Sequence, residues 1–335
     1  MSNQPLIDIR DLHVHFTSDG KLIQAVNGVN LSVKKGESIG LVGETGAGKT
    51  TTALSIMRLV QTPPGKYVKG EIQFEGQDLL TSSEAHLRNI RGNKISMIFQ
   101  DPMTSLNPVY TVGDQIAEVI WLHEKVSKQE ARKKAGEILE LVGIPAERGG
   151  EYPHQFSGGM RQRVGIAIAL ACNPSLLIAD EPTTALDVTI QAQVLNLMQN
   201  LKAELEMGLI MITHDLGIVA EVCDKVAIMY AGEIVEFGTL EHIFRNPQHP
   251  YTEGLFKSIP SLEKRESRLI PIKGLMPDPS ELPSGCPFHT RCPKAVSACQ
   301  SIKPQPIETE NTNETSHLVS CLLYDKSLHT NEVNA

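Results

Sequence analysis

The stretch Gly43-Glu44-Thr45-Gly46-Ala47-Gly48-Lys49-Thr50 satisfies the pattern G-x-x-x-x-G-K-[ST] at every required position. This pattern indicates a phosphate-binding loop when a strand precedes it and a helix follows it. Both are expected here, because the apolar run 37–42 is typical of a buried strand and 51–60 has the composition of a helix. The sequence therefore predicts an α/β protein built around a polyphosphate site.

The residue types in this loop explain how it would hold phosphates. Glycines let the backbone curl so that successive N–H groups point inward, and the following helix adds the partial positive charge of its N-terminus. Lys49 can reach the β- and γ-phosphates, and the Thr50 hydroxyl can bind the Mg²⁺ that bridges them. A glycine-rich surface turn is the alternative, but chance would produce this pattern in about one such chain in a hundred.

The composition restricts the class of protein. The chain has 335 residues, 41% of them hydrophobic, with 31 Lys and Arg against 39 Asp and Glu. This size suits one large α/β domain with an extension, or two ordinary domains, and the negative balance argues against a nucleic-acid partner. The apolar runs are too short to span a bilayer, and the N-terminus lacks a signal-peptide layout. We therefore expect a cytosolic chain that reaches membranes through partners.

Polar residues follow three stretches that predict buried strands. The first ends at Gln100, the second at Asp180-Glu181 and the third at His214. Adjacent carboxylates at a strand end are costly unless they serve a cation or a water, so Asp180 suits Mg²⁺ and Glu181 suits an attacking water. A single histidine is more often structural, but the carboxyl ends of parallel strands are where α/β sheets hold their ligands.

Two further regions have a recognisable pattern. Residues 6–16 and 24–33, separated by Ser18-Asp19-Gly20, predict a β-hairpin region ahead of the loop. Phe16 could stack on an adenine ring, although a core phenylalanine is about equally expected. The helical periodicity within 112–142 predicts a helical insert.

The segment Ser157-Gly158-Gly159 opens a helix rich in small residues. Ser157 is a suitable N-cap, and the two glycines leave several helix N–H groups uncovered. This geometry can bind a phosphate from outside the domain. A plain capped helix would not need both glycines.

Taken together, the loop, Gln100, Ser157-Gly158-Gly159, Asp180-Glu181, Asp187 and His214 resemble the nucleotide-binding subunit of ABC transporters, over residues 6–238. The resemblance implies a P-loop NTPase core in residues 1–258, with an N-terminal antiparallel β subdomain and a helical subdomain at about 101–160. It implies that two such domains enclose two ATP molecules. Each ATP would lie between the loop of one domain and the Ser-Gly-Gly helix of the other.

The resemblance also implies roles for individual residues. Glu181 would be the general base, His214 would contact the γ-phosphate, and Asp187 would lie in the dimer contact. Gln100 would take part in catalysis and would transmit the change to membrane subunits. Thr50, Gln100 and Asp180 would hold Mg²⁺. The residues that would contact ATP are Phe16, Gly43, Thr45, Gly46, Ala47, Gly48, Lys49, Thr50 and Thr51.

Finer features are similar to the D-type ATPase of dipeptide and oligopeptide importers, and nickel importers share many of them. They are the segments 152–160, 178–187 and His249-Pro250-Tyr251-Thr252. The resemblance implies a second, different ATPase chain, two permease chains and a substrate-binding protein, at the cytoplasmic face of the inner membrane. One departure is Phe-Ser-Gly-Gly-Met where Leu-Ser-Gly-Gly-Gln is usual, which removes a polar side chain at Met160.

Four of the six cysteines are concentrated in the predicted C-terminal extension, residues 259–335, in the pattern Cys286-x5-Cys292-x6-Cys299-x21-Cys321. In a cytosolic chain such a group favours metal over disulfides. Zinc usually binds cysteines that are closer together in the sequence, so the x5 and x6 spacings favour a larger metal cluster. A structural zinc and unmodified thiols are the two alternative interpretations. In the peptide-importer family the pattern resembles a [4Fe–4S] site.

Two other classes of protein share the phosphate loop. ABC ATPases of DNA repair have very long coiled-coil inserts, and those of translation have two cassettes, whereas this sequence has one loop and a short insert. A small-molecule kinase would leave the Ser-Gly-Gly helix unexplained. An importer ATPase accounts for all of these motifs.

Overall fold

The computed structural model describes residues 4–100, 105–183, 186–258, 271–312 and 315–329. Some parts of the sequence predictions lie outside these ranges: residues 1–3 of the predicted domain, the start of the helical insert at 101–104, Thr184-Ala185 within the 178–187 segment, and residues 259–270, 313–314 and 330–335 of the extension. None of the described helices is both long and apolar enough to cross a membrane.

The main sheet has eight strands in the order β11-β12-β10-β9-β3-β8-β7-β6. Strands β6, β7, β8, β3 and β9 run parallel to one another, and β10, β11 and β12 add an antiparallel edge. The bounds of these strands are β3 Ser38–Val42, β6 Ile95–Ile98, β7 Leu176–Asp180, β8 Gly208–Thr213, β9 Lys225–Tyr230, β10 Glu233–Thr239, β11 Ile307–Thr312 and β12 Thr315–Val319.

A second sheet is antiparallel, with four strands in the order β2-β1-β4-β5. Its strands are β1 Ile7–Ser18, β2 Lys21–Val33, β4 Gly65–Phe74 and β5 Gln77–Asp78. The hairpin predicted before the phosphate loop is confirmed, because β1 pairs with β2 up to Ser18 opposite Lys21. Asp19 and Gly20 between them both have positive φ, 50° and 75°, which gives the twist that a two-residue hairpin needs.

The helices flank the main sheet, and two of them lie in the stretch of chain that follows β6. Their bounds are α1 Lys49–Ile56, α2 Glu84–Ile90, α3 Val112–His123, α4 Lys128–Leu141, α5 Gly158–Leu170, α6 Val188–Leu205, α7 Leu216–Val222, α8 Leu240–Arg245, α9 Pro250–Lys257 and α10 Lys326–His329. Helices α3 and α4 lie within 112–142, where the periodicity predicts helices. Their N-caps are Thr111 and Ser127, whose hydroxyls each accept a backbone N–H from the first turn.

The central strands are buried on both faces, as their unbroken apolar sequences predict. In β8, Leu209 and Met211 pack into one core with α3 to α7, while Ile210 and Ile212 pack into the other core with the antiparallel sheet. This division follows from the period of two along a strand. Because both faces of the central strands are buried, polar side chains are accommodated at the carboxyl ends of these strands.

The C-terminal extension packs on the main sheet. Strand β12 pairs with β10, and the Ser320 N–H donates to the Val235 carbonyl at 2.8 Å. Earlier in the extension, the Pro279 carbonyl accepts the Gln24 N–H of β2 at 2.9 Å. Phe288 and Leu322 are buried in the same core as the helices. Residues 273–285 are Pro-rich and their composition predicts a linker, yet this segment contacts the domain that precedes it through Pro279.

Candidate nucleotide site

The phosphate loop connects β3 to α1, as the sequence predicts. A Cβ on Gly43 would lie 2.2 Å from the Met229 carbonyl oxygen, and one on Gly48 would lie 2.4 Å from the Ala25 carbonyl oxygen. Gly48 also has a φ of 99° and is the N-cap of α1. Both glycines are required because backbone from β9 and β2 closes around the loop.

Lys49 lies inside the loop. Its ammonium donates to the Gly43 carbonyl at 2.6 Å and to the Glu44 carbonyl at 3.0 Å. Burial lowers the pKa of Lys49, while the carboxylates of Glu181, Asp180 and Glu44 act in the opposite direction. These three acids are therefore within electrostatic reach of Lys49, and an added polyphosphate would further favour its charged form.

Asp180 and Thr50 supply the oxygen ligands suited to Mg²⁺. Asp180 ends β7 and is 2% exposed, and the Thr50 side chain is near enough to favour its ionised form. Burial and the neighbouring Glu181 raise the pKa of Asp180, against the effects of Thr50 and Lys49. A buried carboxylate beside a hydroxyl fits a hard cation that takes its remaining ligands from phosphate and water. Among the described residues no group of three or more His, Cys, Asp or Glu is placed to hold a metal by itself.

Glu181 is held between two polar side chains from neighbouring strand ends. Gln100 Nε2 donates to Glu181 Oε2 at 3.0 Å, and His214 Nδ1 lies 3.2 Å from Glu181 Oε1. The Glu181 side chain is 14% exposed and that of His214 is 63% exposed. Because β6, β7 and β8 are adjacent and parallel, the three polar residues after them meet at one edge of the sheet.

The backbone of Glu181 has an unusual conformation. Its φ is 47°, in the left-handed region that glutamate rarely adopts, and its N–H donates to the Ile212 carbonyl at 2.8 Å. Such a conformation persists where surrounding structure imposes it, and it is enriched at functional sites. The sequence alone gave no signal of this conformation.

The Ser-Gly-Gly helix is built as the sequence predicts. The Ser157 hydroxyl caps α5 and accepts the Met160 N–H at 3.4 Å. A Cβ on Gly159 would lie 3.3 Å from Ile190 of α6, so this glycine has a packing role, whereas a Cβ on Gly158 would meet no atom within 4 Å. Asp187 caps α6 by accepting the Ile190 N–H at 3.0 Å.

These two helix starts are separate from the phosphate loop. Within the described ranges no hydrogen bond or ion pair joins Ser157, Gly158, Gly159 or Asp187 to residues 43–50. At Met160, the residue that departs from the usual pattern, the sulfur accepts from Arg148 Nη1 at 3.3 Å.

Phe16 lies in β1 opposite Ile23 and Gly65, and it is half-buried against the core of the antiparallel sheet. This packing accounts for Phe16 as a core residue. Contact with an adenine ring stays a prediction.

Sequence reasoning missed the residues that hold Glu44, the second residue of the loop. Arg291 Nη1 donates to Glu44 Oε2 at 3.1 Å, and the Glu44 N–H donates to the Tyr251 hydroxyl at 3.0 Å. Tyr251 belongs to the His-Pro-Tyr-Thr segment, whose sequence is similar to that of peptide importers but does not predict a contact with the loop. Arg291 lies between two cysteines and had no signal of its own.

The four C-terminal cysteines are reduced thiols that gather in one region. Cys286, Cys299 and Cys321 are buried, and Cys292 is half-buried. Burial, with a smaller effect of the other cysteines in the group, raises the pKa of Cys286 to about 12 and that of Cys321 to about 11. The four side chains are thus within electrostatic range of one another, although in the described parts of the chain no three of them form a group placed to hold a metal ion.

The other two cysteines, Cys172 and Cys223, lie apart from this group. Burial raises their pKa to about 11 and about 12 respectively, so these thiols are poorly ionised and unreactive, as expected for small core residues.

A strand, phosphate loop and helix beside carboxylates at the ends of parallel strands define a P-loop nucleotide-binding protein. Residues 26–184 match the sequence model of the family described as "ABC transporter", and residues 235–299 match "Oligopeptide/dipeptide transporter, C-terminal region". The oligopeptide transport ATP-binding protein OppD of Bacillus subtilis is 52% identical, over 92% of this chain and 87% of that protein. The dipeptide transport ATP-binding protein DppD of the same organism is 50% identical, over 96% of each chain.

Among solved structures, the dimeric post-hydrolysis state of the ATP-binding cassette MJ0796 bound to ADP and Pi superimposes with a TM-score of 0.64 at 28% identity. It covers 70% of this chain and 98% of that chain. The chain belongs to the family of ABC-type oligopeptide and dipeptide transport ATP-binding proteins.

Proposed function

We propose that this chain is the ATP-hydrolysing motor of an importer that takes up dipeptides or oligopeptides. The observation that carries the proposal is the position of Glu181, between Gln100 and His214 and within electrostatic reach of Lys49. The peptide substrate rests on the relatives, whose names describe oligopeptide and dipeptide transport. A nickel importer is the alternative, because those ATPases share much of the same sequence pattern.

The loop and its neighbours would bind the nucleotide. Backbone N–H groups of the loop and the N-terminus of α1 would receive the phosphates, and Lys49 would exchange its two carbonyl contacts for phosphate oxygens. Thr50 and Asp180, with Gln100, would hold Mg²⁺. This ion would supply positive charge that stabilises the negative charge developing on the transferred phosphoryl group.

Glu181 would act as the general base. Its carboxylate would accept a proton from the attacking water as the water oxygen bonds to the γ-phosphorus and the bond to the β-phosphate oxygen breaks. Gln100 and His214 would orient the carboxylate, and His214 would contact the γ-phosphate. The proton then leaves with the inorganic phosphate product.

The second half of each ATP site would come from another ATPase chain. Ser157, Gly158 and Gly159 would bind the γ-phosphate of the ATP held by that chain, and Asp187 would lie in the contact between the two. The separation of these residues from the chain's own loop and the open space at Gly158 support this arrangement. We propose a heterodimer, because Met160 replaces a polar residue of the usual motif and D-type importers use two different ATPase chains.

The remaining partners follow from the importer assignment. Two permease chains would bind the ATPase pair at the cytoplasmic face of the inner membrane, and a substrate-binding protein would deliver the peptide outside. Nucleic acid has no part in this mechanism. The ATPase domain would comprise residues 1–258, with its helical subdomain at about 101–160, and the extension would comprise 259–335.

We further propose that Cys286, Cys292, Cys299 and Cys321 bind a [4Fe–4S] cluster. The residues fit such a group, because four thiols gather in one largely buried region within electrostatic range of one another. A cluster is larger than an ion and accepts thiolates that are further apart. When bound, it would cross-link the extension and convert four neutral thiols to thiolates.

Two variants in the assembled transporter test the ATPase mechanism. Glu181→Gln should keep ATP affinity, since the loop is unchanged, and lose turnover by about 10²-fold or more, since the water is no longer activated. Lys49→Ala should instead weaken ATP binding. Near-normal turnover in Glu181→Gln would exclude Glu181 as the base, and unchanged ATP affinity in Lys49→Ala would exclude the loop.

A further inference from the structure

The C-terminal extension contacts the phosphate loop through Arg291. Its guanidinium is 3.1 Å from the Glu44 carboxylate and 3.4 Å from the Tyr230 hydroxyl, and its Nε donates to the Lys273 carbonyl at 3.1 Å. The Arg291 side chain is 5% exposed and the Glu44 side chain 31% exposed. This ion pair is therefore largely shielded from water, unlike the many exposed pairs on the surface.

Glu44 is held at three points. Its carboxylate is bound by Arg291, its N–H donates to the Tyr251 hydroxyl, and its carbonyl accepts from Lys49. Tyr251 is in turn packed against Tyr230 and Phe288, with ring centroids 4.7 Å and 5.4 Å away. The second residue of the loop is thus fixed by groups from α9 and from the extension, as well as by the loop's own lysine.

A carboxylate at this position needs a counter-charge. Glu44 is close enough to Lys49 to affect its ionisation, so it is also close to the place where the proposed triphosphate would lie. An unpaired carboxylate there would repel the phosphates, and the repulsion is stronger in a partly buried site than in water. Arg291 supplies the positive charge that offsets it.

We propose that Arg291 is a positioning residue of the ATP site, which neutralises Glu44 and holds the loop in its binding conformation. The proposal rests on the nucleotide-binding function proposed above. It makes the cysteine-rich extension a working part of that site. The turn that carries Arg291 also carries Cys286 and Cys292, with the Arg291 N–H donating to the Phe288 carbonyl at 3.0 Å.

The test is the affinity of the purified full-length chain for Mg·ATP, measured by titration calorimetry in low salt. Arg291→Gln should weaken binding about 10-fold, equivalent to about 1.4 kcal/mol. The double variant Glu44→Gln/Arg291→Gln should recover most of the loss, because removing the carboxylate removes the repulsion. The matched control is Lys294→Gln, which removes the ion pair between Lys294 of the same extension and Glu253 of α9, 2.5 Å between charged atoms and away from the loop.

The outcomes separate the possibilities. Wild-type affinity in Arg291→Gln would overturn the proposal. A double variant that binds as weakly as Arg291→Gln would show that Arg291 acts by packing and does not neutralise Glu44, which also contradicts the proposal. If Arg291→Gln does not fold, Arg291→Lys decides: it keeps the charge but loses the fork and the contact with the Tyr230 ring, so binding within about 3-fold of wild type is expected, and a loss of about 10-fold or more would contradict neutralisation by Arg291. If the wild type and Lys49→Ala bind ATP equally, the proposed function fails and this inference falls with it.

Discussion

Gly158 gives a sharp separation between folding and function. It is the first residue of α5, its φ is not in the left-handed region, and an added Cβ would meet no atom within 4 Å. Gly158→Asp therefore introduces no clash. An aspartate in the first turn also interacts favourably with the helix N-terminus, by about 0.3–1 kcal/mol, so the stability of the fold should stay equal or rise slightly.

The same carboxylate should prevent ATP from bridging the two ATPase chains. If it lies about 4 Å from the partner's γ-phosphate, the repulsion is about 4 kcal/mol at an effective dielectric constant of about 20, or roughly 10³-fold in the closed state. The assays are urea unfolding of the isolated chain and ATP turnover of the assembled transporter. Gly150→Asp is the matched control, because it makes the same change where a Cβ also meets no atom within 4 Å. Near-normal turnover with Gly158→Asp would refute the assigned role of this helix.

Three further predictions concern stability and the cysteines. Because burial lowers the pKa of His249 to about 4 while the unfolded value is about 6.5, the unfolded chain binds more protons between these values. The free energy of unfolding should thus fall by up to about 3 kcal/mol as the pH drops from 6.5 to 4, and His249→Asn should lessen this fall. Equal pH profiles of the wild type and His249→Asn in urea unfolding would contradict the prediction. Glu236→Ala should lower the free energy of unfolding by about 3–5 kcal/mol in urea unfolding, because it removes the carboxylate bound to two buried backbone N–H groups and to the His317 ring. A loss under 1 kcal/mol would count against this hydrogen-bond network. Anaerobically purified protein should be brown with four irons and sulfide per chain as expected for a [4Fe–4S] cluster, and Cys292→Ser should lose the colour and become protease-sensitive after Gly274; colourless protein with one zinc, or metal-free protein with an ordered extension, would overturn the cluster.

The nucleotide site was predictable because its geometry is local or follows from parallel strands. The loop has a fixed pattern, and Gln100, Glu181 and His214 each follow an apolar strand, so adjacent parallel strands were sufficient to bring them together. The role of Ser157 as an N-cap was predictable for the same reason, because capping depends on residues only three apart.

The contacts made by the extension were not predictable in this way. Arg291 and Glu44 are far apart in the sequence, and neither has a neighbour whose pattern indicates the other. Strands β11 and β12 join the sheet beyond β10, but they follow the Pro-rich segment 273–285, whose composition predicts a linker. Long-range packing of this kind depends on the surface that the rest of the chain presents, and periodicity carries no information about that surface.

The central claim is that ATP hydrolysis at Glu181 drives peptide uptake. The most direct measurement is uptake of a labelled peptide into proteoliposomes that contain the two permease chains, this chain and its partner ATPase, with ATP on the side of the ATPases and the binding protein on the other side. The account predicts ATP-dependent accumulation with the wild-type chain and loss of accumulation with Glu181→Gln, although that variant still binds ATP. Accumulation at the wild-type rate with Glu181→Gln, or ATP turnover that no peptide stimulates, would contradict it.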